Sequence, residues 1–183
     1  SGAAYIPDEP DDESYKHNKE MIFKFNDLKF KGSFLALRIE GDKISIDEKI
    51  KVLTKELNFN NLNTSILDVH QSVPFWEKIN NLELFSETKN NLLRAVIPPS
   101  KGNELMQQLG NKYKYYIDWC GSLYWIEVGS KKNMKITEIK KLIKDLGGYL
   151  TIIKKSSEYD YEETIFTIDD TRLLISEKIK KSF

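Results

Sequence analysis

The chain has 183 residues, of which 40% are hydrophobic and 31% charged, which suits one domain or one and a half of a globular protein. Lysine plus arginine and aspartate plus glutamate number 28 each, so no overall field favours a nucleic acid or an anionic membrane as partner. The single cysteine excludes an internal disulfide and a cysteine-based zinc cluster, and it favours a reducing compartment.

The chain opens with a polar segment. Residues 1–20 are acidic and contain Pro7 and Pro10, which predicts a flexible leader or linker before one domain over residues 21–183. Apolar side chains alternate crudely over residues 21–30, which is compatible with a strand or with irregular structure. The start has no basic-then-apolar signal segment, and no apolar run approaches the roughly 18 residues of a membrane-spanning helix. We therefore expect a cytoplasmic protein that does not span a membrane.

Two strand–helix units are predicted next. Residues 34–39 form an apolar strand, and Ser45 with Glu48 has capping-box spacing at the start of a helix. Residues 66–69 predict a further strand, and Ser72 opens a second helix. The predicted apolar faces of these helices are Ile46, Ile50, Leu53 and Leu57 in the first and Phe75, Trp76, Ile79 and Leu82 in the second.

The central stretch, residues 91–154, has a regular alternation of strands and helices. Its elements are strand, helix, strand, strand, helix and strand, over residues 92–97, 102–109, 115–119, 123–128, 136–146 and 149–154. A βαββαβ order is typical of the ferredoxin-like unit, an antiparallel sheet with helices on one face. We therefore predict an α+β fold with a ferredoxin-like core over about residues 91–154. Additional N-terminal βα elements would extend it to one sheet of about five to seven strands, and a last helix covers residues 170–182.

Sequence motifs of the common catalytic sites are missing. The chain contains neither GxGxxG nor GxxxxGK[ST], and neither HExxH nor GxSxG. Its two histidines, His17 and His70, are interpreted as solvated or structural side chains. Cys120 falls in the predicted hairpin turn without a visible base and is interpreted as an inert thiol. No catalytic and no metal-binding residue is therefore predicted.

Polar and aromatic side chains of the central stretch leave several interpretations open. Arg94 is one of three arginines and sits mid-strand, where it either pairs with Asp118 or Glu127 or contacts an anion. Asp118 either orients a ligand or accepts hydrogen bonds from turn amides. The tyrosines and tryptophans of residues 113–125 form either a packed sheet face or a wall against a flat ring system such as a flavin.

Five short motifs follow one another along most of the chain. They are Phe75-Trp76-Glu77-Lys78-Ile79, Leu93-Arg94-Ala95-Val96-Ile97-Pro98-Pro99, Ile117-Asp118-Trp119-Cys120-Gly121, the aromatic strand with Trp125, and Leu146-Gly147-Gly148-Tyr149-Leu150-Thr151. In order and spacing they resemble a helix, an LWRxSxPP strand, a DWGG turn with its following strand, and a GGHAT strand entry. These belong to the C-terminal part of vanillyl-alcohol-oxidase-like FAD-linked oxidases, the family of the FAD-binding subunit of bacterial glycolate oxidase. Cys120 and Tyr149 depart from the family pattern, which has glycine and histidine there.

The resemblance implies the C-terminal cap or substrate domain of an FAD-linked 2-hydroxy-acid oxidase that acts on glycolate. FAD would be held by an N-terminal domain of the same subunit, to which nothing in this sequence corresponds. The fragment alone is therefore expected to be inactive and to carry no bound FAD. Carried over onto this sequence, the residues expected to face the substrate or the flavin are Arg94, Asp118, Trp119 and Trp125.

The same resemblance implies partners and a location. The partners would be the N-terminal FAD-binding domain and other glycolate oxidase subunits, including an iron–sulfur subunit. The location would be cytoplasmic, or peripheral to the inner membrane through those subunits. The alternative is a free-standing ferredoxin-like ligand-binding or interaction module without catalysis, a type that often pairs edge strands into dimers. A nucleic-acid partner is not expected, because lysine greatly outnumbers arginine, whose planar fork is the usual reader of bases.

Overall fold

A six-stranded antiparallel sheet organises the computed structural model, which describes residues 2–10, 32–59, 62–129, 136–156 and 170–182. The strands are β1 (Gly2–Ile6), β2 (Phe34–Arg38), β3 (Asn91–Val96), β4 (Lys114–Asp118), β5 (Leu123–Val128) and β6 (Tyr149–Lys154). Their order across the sheet is β2-β1-β4-β5-β3-β6, and every neighbouring pair is antiparallel. The strands β4-β5-β3-β6 have the ferredoxin-like order, and β1 and β2 extend the sheet beyond β4. The predicted α+β, ferredoxin-like fold is confirmed.

Five α-helices accompany the sheet within the described ranges. They are α1 (Lys43–Phe59), α2 (Val69–Asn80), α3 (Gly102–Leu109), α4 (Ile136–Asp145) and α5 (Asp170–Lys181). Single turns of 3-10 helix connect the main elements at Glu83–Phe85, Pro99–Lys101, Gly110–Lys112 and Trp119–Gly121. Among these described helices, none combines the length and apolarity needed to cross a membrane.

One side of the sheet, which we call the first face, is packed against α3 and α4. The helical spacing of Ile136, Ile139 and Ile143 turns one side of α4 toward the sheet, where Ile139 and Ile143 are fully buried. Leu105 of α3 is fully buried in the same cluster. The end of α4 approaches β3 so closely that a Cβ atom on Gly148 would lie 2.4 Å from the Val96 carbonyl oxygen. Only glycine permits this approach.

The opposite side, which we call the second face, is covered in part by α2. The apolar side of that helix, formed by Phe75, Trp76 and Ile79, joins one buried cluster with side chains of β1 and β4. Tyr116 of β4 fixes this packing, because its hydroxyl donates a hydrogen bond to the Ile79 carbonyl oxygen at 2.8 Å. Helices thus lie on both faces of the sheet, so the prediction of helices on one face is wrong.

The start of the chain also differs from the prediction. Gly2–Ile6 is a strand that pairs with both β2 and β4, and Ala4 and Ile6 are 1% exposed. The prediction of a flexible leader is therefore wrong for residues 2–6, because the alternating small and apolar side chains there complete a buried sheet position. Residues 11–20 and the uncertain strand over residues 21–30 lie outside the described residues.

Two helix starts were placed too late by sequence pattern. The strand predicted over residues 66–69 is wrong, because the Asp68 side chain accepts the Gln71 amide and the two residues form a capping box at the start of α2. In α1 the Ser45 amide donates to the Asp42 carboxylate at 3.0 Å, so Asp42 takes the capping role predicted for Ser45. In both places a short acidic side chain that binds backbone amides outweighs the apolar pattern that follows it.

Candidate functional site

Part of the second face is left open beyond the reach of α2. Strand register places Arg94 of β3 directly opposite Trp125 of β5 and Thr151 of β6. Together with Val96, Tyr149 and the nearby Trp119 these residues form what we call the open patch. Arg94, Trp125 and Thr151 are half-buried, whereas Trp119 is 57% exposed and Tyr149 is 41% exposed. The patch is therefore accessible to a molecule that lies flat on the sheet.

Arg94 is the central charged group of the open patch. Its guanidinium carbon lies 5.2 Å from the centroid of the Trp119 ring, which is the geometry of a cation–π contact. No described residue accepts a hydrogen bond from the guanidinium or forms an ion pair with it. Of the predicted ion-pair partners, Asp118 binds a turn amide and Glu127 binds Thr88 and Asn90. The prediction of an ion pair for Arg94 is wrong, and a planar fork of five N–H donors faces the patch.

Trp119 is held at the edge of the patch by a tight turn between β4 and β5. Trp119 and Cys120 adopt left-handed backbone angles, with φ of 49° and 53°. The Asp118 carboxylate accepts the Trp119 amide at 2.7 Å, and the Ser122 hydroxyl donates to the Trp119 carbonyl oxygen at 2.9 Å. Burial raises the pKa of Asp118, and the amide hydrogen bond partly offsets this. Asp118 therefore shapes the turn, as one of its two interpretations predicted, and does not contact Arg94.

Trp125 forms the inner wall of the patch. One side of its ring packs against the buried cluster under α2, while its strand position faces Arg94. The aromatic residues of this stretch thus divide between two roles. Tyr115 and Tyr124 pack in the core of the first face, whereas Trp119 and Trp125 border the open patch.

The structure brings together three of the four residues that were predicted to face a ligand. Arg94, Trp119 and Trp125 meet in the open patch, and Asp118 supports it from the turn. Sequence reasoning did not single out Thr151 as a neighbour of Arg94, because that contact depends on the register between β3 and β6.

A second polar group on the second face was also missed. Lys114 and Glu127 are 3% and 2% exposed, and their charged atoms lie 4.0 Å apart. The signal available in the sequence was two charged residues inside otherwise apolar strands. Burial lowers the pKa of Lys114 to about 8, although the carboxylates of Glu127 and Glu9 favour its charged form. This cluster is buried and lies apart from the exposed side of the open patch.

The residues of the open patch fit one part of a flavin better than another. Indole rings match a flat ring system, and the Arg94 guanidinium matches the carbonyl edge of such a ring or a carboxylate. Neither the described strand ends nor the described helix starts include a glycine-rich phosphate loop. Within the same ranges no group of three or more histidine, cysteine, aspartate and glutamate side chains is placed to hold a metal ion.

Comparison with protein-family models, with curated proteins and with solved structures finds no match for this chain. The resemblance to FAD-linked oxidases therefore stays a prediction, and the open patch is the structural basis on which a function can be argued.

Proposed function

We propose that this chain is the cap domain of an FAD-linked 2-hydroxy-acid oxidase subunit of the glycolate oxidase type. In this proposal the second face lies over a flavin that is held by an N-terminal domain, and the open patch faces the flavin and the substrate. The observation that carries the proposal is the Arg94 guanidinium, which lies against Trp119 with no hydrogen-bond acceptor among the described residues. The order of the family-like motifs supports it, since three of them supply Arg94, Trp119 and Trp125.

The chemistry would be divided between the cofactor and this chain. FAD, when bound by its own domain, would accept the hydride from the alcohol carbon of the substrate. Arg94 would donate hydrogen bonds to an anion, either the substrate carboxylate or the negative edge of the ring system. Trp119 and Trp125 would exclude water from that contact and orient a flat group, and no residue of this chain would act as acid, base or nucleophile.

The partners follow from the same proposal. The chain would work with its FAD-binding domain and with other glycolate oxidase subunits, one of which carries iron–sulfur clusters that receive the electrons. The location would be cytoplasmic, or peripheral to the inner membrane through those subunits. The purified chain would carry no stoichiometric flavin, and a visible spectrum with flavin bands at one equivalent would contradict the assignment of FAD binding to another domain.

Titration with flavin mononucleotide tests the proposed role of the open patch. We expect weak, saturable quenching of tryptophan fluorescence with a dissociation constant of about 1 mM, because a cap face alone contributes only part of a cofactor site. Replacement R94M should weaken the binding at least tenfold by removing the donor fork. The matched control is R38M, because Arg38 is a solvent-exposed arginine that is ion-paired with Glu40 on the edge strand. Equal binding by the two variants would contradict the proposal.

A second function is favoured by the same unpaired arginine. A free-standing ligand-binding module with this fold would use Arg94 to hold a small carboxylate or phosphate without any catalysis. The two functions differ in what precedes this chain. A reading frame upstream of the Ser1 codon that encodes a glycine-rich flavin-binding region supports the oxidase, and a start codon at that point supports the module.

A further inference from the structure

A short segment crosses the second face next to the open patch. Residues 82–90, which we call the strap, connect α2 to β3 and contain the 3-10 turn Glu83–Phe85. The strap begins at Leu82, which has a left-handed backbone with φ of 57°, a conformation that costs a non-glycine residue about 1 kcal/mol. Phe85 stacks on Tyr116 with ring centroids 5.7 Å apart. The strap thus closes one end of the sheet with little regular structure of its own.

Side chains of the sheet hold the strap at both ends. Lys114 of β4 donates from Nζ to the Leu84 carbonyl oxygen at 2.5 Å, and Lys154 of β6 donates to the Thr88 carbonyl oxygen. Glu127 of β5 accepts at one carboxylate oxygen from Thr88 Oγ1 at 2.5 Å and from Asn90 Nδ2 at 2.7 Å. Every one of these contacts joins a strand to the strap, so the strap closes when they all form.

The balance of charge under the strap is incomplete. The second carboxylate oxygen of Glu127 is buried without a hydrogen bond, and it lies 4.0 Å from the Lys114 ammonium. That distance is longer than a charge-assisted hydrogen bond, so the pair recovers only part of the cost of leaving water. Lys114 also lines a small cleft formed by Ile6, Pro7, Asp8, Glu9, Pro10, Leu84 and Tyr115. The buried positive charge is therefore the weakest part of the closed arrangement.

We propose that the strap is a proton-linked lid, which opens locally while Lys114 is charged and closes more tightly when Lys114 is neutral. The charged groups that face Lys114 are Glu127 from β5 and Glu9 from the segment after β1, with Asp8 at the cleft. Lys154 lies at the other end of the strap, and Tyr116 is the neighbouring titratable group of the same face. The carboxylates attract the ammonium, but its desolvation outweighs that attraction.

The sign of the effect follows from proton linkage. In the closed form the pKa of Lys114 is lowered by burial to about 8, and in an open, solvated form it returns toward 10.5. Between these values the open form binds more protons, so raising the pH favours the closed form. The ratio of closed to open strap should rise up to tenfold for each pH unit in this range.

Hydrogen exchange of the whole chain from pH 7 to pH 10 tests the lid, after correction for the intrinsic exchange rate. The reporters are the Thr88 amide, bonded to the Phe85 carbonyl oxygen, and the Asn90 amide, bonded to Thr88 Oγ1. We expect them to be less protected than the core strands β3 and β5, and their protection should rise with pH above about 8. Protection equal to that of the core, or flat or falling with pH, would overturn the proposal.

Two variants identify the responsible lysine. Replacement K114M should remove the pH dependence of strap protection. The matched control K154M removes the other anchor and should lower protection evenly while keeping the slope. The lysine itself can be followed by the NMR signal of its Cε group in the unmodified chain, which needs no variant to fold. A titration midpoint near 8 supports the lid, and a midpoint near 10.5 overturns it.

Discussion

The two faces of the sheet are built from the same strands but differ in what they bury. The first face packs apolar and tyrosine side chains against α3 and α4 in one cluster. The second face is covered in part by α2 and carries a buried lysine–glutamate pair and an unpaired arginine. Because polar groups cost free energy when they leave water, the first face supplies most of the stability and the second face has the groups that can bind.

The largest expected effect breaks the first face. Replacement I143A should lower the free energy of unfolding by about 3 kcal/mol, because Ile143 is fully buried under α4 and leaves a cavity. The control I153A removes an isoleucine that is 49% exposed on β6 and should cost less than about 0.5 kcal/mol. Urea unfolding measures both, and equal losses would contradict the assignment of the core to the first face.

The pH dependence of stability separates the two faces next. The unfolded chain holds the Lys114 proton up to about pH 10.5, whereas the folded chain releases it near pH 8, so stability should rise by about 2 kcal/mol between pH 8 and pH 10. Above pH 10 stability should fall, because burial raises the pKa of Tyr115 and Tyr124 to about 12 and that of Tyr116 further.

The expected profile is therefore a maximum of stability near pH 10. Urea midpoints from pH 7 to pH 11 measure it. Replacement K114M should remove the rise below pH 10 and keep the fall above it, since the tyrosines are unchanged. A stability that declines steadily from pH 8 in the unmodified chain would show that Lys114 gains more from Glu127 than it loses by burial.

The smallest effect sharpens the edge of the open patch. Replacement C120G should stabilise the chain by about 0.5–1 kcal/mol, because Cys120 has φ of 53° and glycine adopts this angle without strain. The control C120A keeps the strained backbone and should leave stability within about 0.5 kcal/mol. A loss of stability in C120G measured by thermal unfolding would mean that the thiol makes a contact that outweighs the turn.

Sequence pattern predicted the ferredoxin-like unit because each of its elements has a local signal. The alternation in β3 and β5, the helical spacing in α4 and the glycines that end α3 and α4 act within a few residues. β1 could not be predicted in the same way, because its burial depends on pairing with Phe34–Arg38 across a long sequence separation. The start of α2 was missed because a cap residue determined it, not apolar periodicity.

The candidate site could be predicted only as a set of residues. Arg94, Trp119 and Trp125 were singled out by type and by motif order, and their adjacency follows from the register of β3 with β5. That the arginine has no carboxylate partner could not be predicted, since Asp118 and Glu127 were both within plausible reach. Hydrogen bonds to the Trp119 amide and to Thr88 decide where those carboxylates go.

The most direct test of the open patch uses the three tryptophans of the chain, each of which gives one indole signal in a proton–nitrogen correlation spectrum. Trp76 is 7% exposed beneath α2, whereas Trp119 is 57% exposed and Trp125 is half-buried beside Arg94. Titration with flavin mononucleotide should shift the indole signals of Trp119 and Trp125 in a saturable way and leave that of Trp76 in place. A spectrum in which Trp76 moves as much as the other two, or in which none of the three moves, would contradict the account.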